Sequence, residues 1–353
     1  MIKEGIQRLV ERKNLTSEET AQIMKEIMSG ETTPAQISAF LTALRMKGET
    51  IREVTSLIQV MRQFATKIKP KVTGRILDIV GTGGDKIKTV NVSTTAAIVS
   101  AGAGATVAKH GNRSFTSKCG AADILERFGV NITADPSLIE KSIETVGIGF
   151  LFAPIYHPAM KHVVDPRREI GARTVFNILG PLTNPAAADA MLVGVYDPAL
   201  VEPVANVLAK LGLKEALVVH GLDGLDEIST IGKTSAAWMK GNEVKITQFL
   251  PNDFGVEKAK PEMLIGNNVE ENAKTIFRML NGHLNENDRL KELVMVNAAA
   301  GIAVAGLADN LLEGMSLAKK SIVSGDAYGK LQSMVNASEG DKSKLEELES
   351  RFC

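Results

Sequence analysis

The chain has 353 residues, 44% apolar, 23% charged and 4% aromatic, with 41 Lys and Arg against 41 Asp and Glu. That length makes about two domains, or one large one with an appended part, and buries a core without staples. Zero net charge excludes a general binder of nucleic acid or of a membrane surface, and two cysteines, Cys119 and Cys353, without metal-type spacing exclude a disulfide scaffold and suit a reducing compartment.

The start, MIKEGIQRLVERKN, is charged throughout and lacks a signal-peptide core, which predicts a cytoplasmic protein. Ile2, Ile6, Leu9 and Val10 mark an amphipathic stripe. Thr16 to Glu19 is a capping-box pattern, followed by Ile23 and Ile27 at helical spacing. Thr33 as N-cap, Pro34 as first helical residue and Gln36 as reciprocal partner open the next helix, lined by Ile37, Phe40, Leu41 and Leu44 and ended by Gly48. A further helix is predicted from about Ile51 to Ala65, and residues 67–71 read as a linker. After Gly74, short β-branched runs alternate with helical segments: Ile76–Val80, Ala105–His110, Ile148–Ala153, Ala190–Tyr196 and Glu215–His220. This pattern predicts an α/β fold with a mostly parallel sheet. Ala236–Lys240 and Glu243–Ile246, joined by Gly241-Asn242, predict a hairpin and hence an antiparallel edge. The longest apolar stretch, about Val294 to Ala308, is broken by Asn297 and too short to span a bilayer. The tail after about Ala337 is charged and expected to pack weakly.

Chemistry concentrates between Ile76 and Gly129. The first strand ends in Gly81-Thr82-Gly83-Gly84-Asp85, and Asn91-Val92-Ser93-Thr94 opens a small-residue helix expected over Thr95–Ala101. Glycines at a strand end let the backbone approach a ligand, and unpaired amides at a helix start attract anions. Alone, such a loop is an ordinary turn; it is neither a dinucleotide fingerprint nor a P-loop. A second strand, however, leads into Lys109-His110-Gly111-Asn112-Arg113-Ser114-Phe115-Thr116-Ser117-Lys118-Cys119-Gly120 and a helix from Ala121. Two successive strand–loop–helix units put both loops at the carboxyl end of the sheet, where open α/β folds bind ligands. From Lys86 to Ala122 the chain carries Lys86, Lys88, Lys109, Arg113 and Lys118 and no Asp or Glu. The stretch therefore reads as local anion-binding character; a solvated charged loop is the plainer alternative. Cys119, at a helix start beside Lys118, is expected to have a lowered thiol pKa. Further on, Arg167 or Arg168 could pair with a carboxylate or stack on a ring, and Asp226-Glu227 could hold Mg²⁺ or be an exposed acidic turn.

Taken together, Gly81 to Asp85, Thr89 to Thr94, Lys109 to Arg113, His157 to Lys161 and Asn177 to Pro185 resemble the anthranilate phosphoribosyltransferase family, from the N-terminal helices to about residue 335. The resemblance implies a small helical domain at 1–70 with a returning segment at about 165–190, an α/β domain at 71–164 and 191–345, a tail at 346–353, and a homodimer formed through the helical part. It implies transfer of 5-phosphoribose from its 1-diphosphate to the amino group of anthranilate. Phosphoribosyl diphosphate would be bound by Gly81, Gly84, Asp85, Thr89, Asn91, Val92, Ser93, Thr94, Lys109, His110, Gly111, Asn112, Arg113, Ser114, Phe115, Thr116, Ser117 and Ala121. Asn112 and Arg167 would contact anthranilate, with Gly81, His110, His157 and Pro181 lining its pocket. Ser93, Asp226 and Glu227 would hold two Mg²⁺ per subunit. Lys109 and Arg167 are the candidates for a direct part in catalysis, with no general base standing out. The family often carries serine where this chain has Cys119 and Ala121. A pyrimidine nucleoside phosphorylase of the same architecture, and a silent or nucleic-acid-binding relative, are the competing readings; neutral charge and the complete motif set weigh against the second.

Overall fold

The computed structural model describes residues 1–84, 87–114, 119–285 and 287–352. It opens with four helices, α1 (Ile2–Val10), α2 (Ser17–Met28), α3 (Pro34–Lys47) and α4 (Ile51–Gln63). Thr16, Thr33 and Thr50 each accept from the amide three residues on, while Glu19, Gln36 and Glu53 reach back to the cap amide, so three helix starts are fixed locally. Glu53 also joins these helices to one another. Fully buried, it pairs with Lys47 at 2.7 Å and accepts from the Leu15 amide at 3.0 Å. Burial pushes its carboxyl up, but the Lys47 ammonium and the amide donors outweigh that and hold it below the usual range.

The chain then alternates: β1 (Ile76–Gly81), α5 (Val92–Gly102), β2 (Thr106–Gly111), α6 (Ala121–Arg127), α7 (Pro136–Thr145), β3 (Ile148–Phe152), a single turn α8 (Ala153–Tyr156), α9 (Lys161–Ile170), another turn α10 (Phe176–Leu179), β4 (Ala190–Gly194), α11 (Val201–Lys210) and β5 (Glu215–Gly221). A hairpin, β6 (Thr234–Lys240) and β7 (Glu243–Phe249), precedes α12 (Val269–Leu280), α13 (Arg289–Val304), α14 (Leu311–Val323), α15 (Asp326–Ala337) and α16 (Ser343–Phe352). The sheet order is β3-β2-β1-β4-β5-β6-β7, parallel through β5 and antiparallel at the hairpin, as the strand runs predict.

Alternating strand residues feed two cores. Leu77, Ile79, Leu192, Leu217 and Val219 belong to one with α5 and α13. Val80, Met191, Val193 and Val218 belong to the other with α11, the N-terminal helices and the Val175–Leu182 segment. Both faces are covered, which is why the parallel strands read as continuous apolar runs. The long apolar stretch is α13, buried along most of its length between strands and helices. Among the described residues, no helix is long and apolar enough to cross a membrane.

Two expectations are corrected. The small-residue helix begins at Val92 rather than Thr95, because the Asn91 carbonyl already accepts the Thr95 amide and hydroxyl, both at 2.9 Å. The tail, expected to pack weakly, forms α16. Its Leu345 and Leu348 are buried in the α5–α13 core, Phe352 packs on Phe277, and Glu349 accepts from the Tyr328 hydroxyl at 2.6 Å. The charges that suggested a loose tail occupy only its outer face.

Candidate active site

The loops converge at the carboxyl ends of β1, β2, β4 and β5. Gly81 and Gly194 end adjacent strands against the acidic loop, and Gly194 must be glycine. A Cβ at Gly81 would stand 2.5 Å from Asp226 Oδ2, and one at Gly194 would overlap the Asp226 carbonyl. Without those side chains, the acidic loop folds down onto the strand ends, and the Gly83 amide donates to Asp226 Oδ2 at 2.7 Å. The first loop is tied to β4 as well: the Thr82 amide donates to Gly194 O at 2.9 Å, and the Tyr196 amide to Thr82 Oγ1 at 3.0 Å. Arg173 stacks 4.0 Å from the Tyr196 ring and donates to Gly84 O at 2.8 Å. Ser93 and Thr94 lie inside the first turn of α5, so neither caps it. Asn91, at the cap position, turns its side chain to Cys119 instead, donating to its carbonyl at 3.1 Å and accepting from its thiol at 3.1 Å.

In the second loop, Lys109 is buried, with Nζ donating to Ile79 O at 2.6 Å, and faces the charges of Asp78, Glu227 and Asp226. Burial lowers its pKa, opposed by those carboxylates. Arg113, expected to meet an anion, is held by Asp123 at 2.8 Å and Glu126 at 2.9 Å, so its charge is matched within the chain. The cation-rich window ends one residue before Asp123, and two carboxylates in the first two turns of α6 match one of its five cations, Arg113. The Cys119 expectation also fails: burial outweighs its place before a helix and pushes the thiol up to about 11. The Ala122 amide donates to Asn112 O at 3.2 Å, which seats the loop on the start of α6. Asp85, Phe115, Thr116 and Ser117, with Lys86 and Lys118, lie outside the described residues.

A third cluster is apolar and nearly uncharged. His110 and His157 are buried with ring centroids 5.1 Å apart. Nε2 of His110 and both ring nitrogens of His157 have no hydrogen-bond partner among the described residues. Burial pushes both pKa values down, that of His157 to about 4, so both rings are neutral at pH 7. Arg167 and Arg168, equal in the sequence, separate here. Arg168 is exposed and paired with Asp165 at 3.2 Å, whereas Arg167 is half-buried, 5.5 Å from the Phe176 ring, with no carboxylate partner among the described residues. Pro181 sits in a short turn, Gly180–Leu182, pinned by two hydrogen bonds from Arg62 to Leu182 O at 3.2 and 2.8 Å.

One residue escaped the sequence reading as a contributor. Asn297, noted only as a break in an apolar stretch, is fully buried on α13 and clamps the Ile228 peptide, accepting from its amide at 2.9 Å and donating to its carbonyl at 3.1 Å. Ile228 follows Glu227, so Asn297 fixes the acidic loop from below. A lone amide inside an apolar helix was the available signal, since a buried amide needs partners.

Residues 3–65 match a glycosyl transferase family's helical bundle domain, and residues 73–328 its a/b domain. An anthranilate phosphoribosyltransferase of Acetivibrio thermocellus is 48% identical over 335 residues, covering 95% of this chain and 96% of the relative. That of Persephonella marina is 46% identical over 340 residues, 96% of this chain and 100% of the relative. The chain belongs to the anthranilate phosphoribosyltransferase family. A crystal structure of the Thermus thermophilus member superimposes with a TM-score of 0.89 at 39% identity, covering 95% of this chain and 99% of that one. The Saccharomyces cerevisiae member, solved in complex with PRPP and Mg, gives 0.87 at 29% identity, covering 96% and 98%. The helical domain and the mostly parallel α/β domain with its antiparallel edge are thus the fold of this family, and the chain is a glycosyltransferase.

Proposed function

We infer that the chain transfers 5-phosphoribose from 5-phospho-α-D-ribose 1-diphosphate to the amino group of anthranilate, giving N-(5-phosphoribosyl)anthranilate and diphosphate. This is the second step of tryptophan biosynthesis from chorismate. The observation that carries it is 46–48% identity to anthranilate phosphoribosyltransferases over 95–96% of the chain, together with two loops converging above one mostly parallel sheet.

Gly81, Gly84, Asp85, Thr89 and Asn91 to Thr94 cradle the phosphoribosyl diphosphate from one loop, and Lys109 to Asn112 and Ser114 to Ser117 with Ala121 from the other, Arg113 being held by Asp123 and Glu126. Arg167 is the anthranilate carboxylate's partner: a desolvated guanidinium without a carboxylate of its own gains most from one. Asn112 completes that contact, and Gly81, His110, His157 and Pro181 form the walls. Neutral histidine rings suit an uncharged aryl ring better than imidazolium would. An arylamine attacking a cation-like ribose carbon sheds its proton readily once the bond forms, so the residues act by positioning and charge rather than as a base.

Asp226, Glu227 and Ser93 offer only oxygen donors, which suits Mg²⁺. We assign two Mg²⁺ per subunit to these residues; when bound, they offset charge on the leaving diphosphate. The helical part serves as the homodimer surface, and the enzyme works in the cytoplasm.

The test is a fluorescence assay of anthranilate loss with phosphoribosyl diphosphate and Mg²⁺. Consumption requiring all three supports the reading; no consumption alongside phosphorolysis of thymidine or uridine overturns it.

A further inference from the structure

Beneath the two loops, the β1–β2 ladder stops early. Its paired residues are Ile76 with Thr106 and Leu77 with Val107, whereas β2 stays paired with β3 through Gly111 and β1 with β4 through Gly81. Past that point side chains take over from the ladder. Lys109 Nζ donates to Ile79 O at 2.6 Å, and the His110 amide donates to Asp78 Oδ1 at 3.2 Å. The other oxygen of Asp78 accepts from Asn184 Nδ2 at 2.8 Å. Asn184 Nδ2 also donates to Ala108 O at 2.8 Å, and Asn184 Oδ1 accepts from the Ala186 amide at 2.9 Å. Asp78, Lys109 and Asn184 are 0%, 4% and 3% exposed.

A buried carboxylate and a buried ammonium, each held by its own hydrogen bonds rather than by direct contact, are a poor way to add stability, since well-packed apolar residues of similar volume often do as well. Its placement is more telling. One carboxylate touches three segments that form the site: β1, which ends in the first loop; His110, which starts the second; and Asn184, which follows Pro181. Burial pushes Asp78 up to about 6 and Lys109 down, and the Coulombic attraction between the two opposes both shifts.

We propose that Asp78, held by Asn184, is a positioning residue of the phosphoribosyl transfer: where the β1–β2 ladder has stopped, it supplies the fixed counter-charge that keeps the Lys109 ammonium at the cleft floor for the diphosphate. The proposal rests on the assignment of Lys109 to the diphosphate, which Lys109→Met tests separately.

Steady-state constants for both substrates, with thermal melting as a control, are compared for Asp78→Asn, Lys109→Met and the double variant. Asp78→Asn is expected to lower kcat/KM for phosphoribosyl diphosphate by at least about tenfold while changing the anthranilate KM less than about twofold. On the Lys109→Met background the same substitution should change kcat/KM by less than about twofold, because its effect runs through Lys109. Losses that multiply in the double variant, or equal rises in both KM values, would overturn the proposal. If Asp78→Asn does not fold, Asn184→Ala takes its place, with a loss of about three- to fivefold that again vanishes beside Lys109→Met; persistence of that loss would overturn the proposal equally. Lys109→Met with unchanged kinetics removes the footing of the proposal while leaving the overall activity standing.

Discussion

Arg167 and Arg168 are adjacent, chemically identical and one helical step apart, so that single step divides their work. Arg168 points to solvent and pairs with Asp165, a contact worth about 0–1 kcal/mol at the surface. Arg167 is turned inward against Phe176, and burial lowers its pKa, which makes an incoming carboxylate its best available partner. Arg167→Ala is therefore expected to raise the anthranilate KM by about tenfold or more, leaving the KM for phosphoribosyl diphosphate within about twofold. Equal loss for both substrates would count against the role, and Arg168→Ala serves as the silent control. His157 makes a second residue-level case, in stability. Its folded pKa of about 4 lies below the ordinary 6.5, so between these values the unfolded chain binds a proton that the folded chain does not. Stability contributed in full above about pH 6.5 is lost as pH falls toward 4, by roughly 3 kcal/mol at most. Asp78 has the opposite sign: its raised pKa of about 6 adds stability as pH falls through the same window. The wild type sums these slopes with those of its other shifted groups, so the comparison is made against a variant lacking only the His157 imidazole. Urea unfolding at pH 7 and pH 4.5 should show His157→Asn gaining about 2–3 kcal/mol relative to wild type at the lower pH. Identical pH slopes for the two proteins would refute the buried neutral histidine.

At the scale of elements, local signals carried most of the fold. Capping boxes at Thr16 and Thr33 placed helix starts correctly because both partners lie within three residues of each other. The strand runs were legible because a sheet covered on both faces leaves few polar interruptions. What failed depended on partners distant in sequence. The neutralisation of Arg113 needs the first two turns of α6 to rise beside the second loop, and a linear count of charges cannot see that. The packing of α16 needs Phe277 and Tyr328 from α12 and α15, so a charged tail looked loose. The Cys119 thiol was expected to have a lowered pKa because its helix start is visible in sequence and its burial is not. Asn297 shows the converse, since a residue read as a flaw in an apolar run is the clamp on the acidic loop. Within the site, the motif strings marked the loops, but only the fold divides the cations among buried, paired and unmatched.

At the scale of the whole molecule, a formal charge of zero sharpens into a distribution. The positive groups around the cleft are few, and four of the described ones have separate settings: Lys109 among carboxylates, Arg113 in an ion pair, Arg167 against the Phe176 ring and Arg173 against the Tyr196 ring. A small polyanion needs a field of that size and no larger, which leaves the remaining surface free for neutral contacts. One such surface is on the helical part. Val10, Met46 and Val164 are 66%, 67% and 37% exposed, on α1, α3 and α9, and α3 packs against the other two. Large apolar side chains left exposed on neighbouring helices would suit a partner, and a second copy of the chain would satisfy them symmetrically. Light scattering is expected to give twice the chain mass for the wild type, and Val10→Asp with Val164→Asp should reduce it to that of one chain at micromolar concentration. The loops, the acidic pair, Arg167 and the His110–His157 pair all come from a single chain. The resulting monomer should therefore keep its kcat within about twofold while melting at lower temperature, because the exposed helices lose a covering surface. A wild type that is already monomeric, or a double variant that stays dimeric, would place the interface elsewhere.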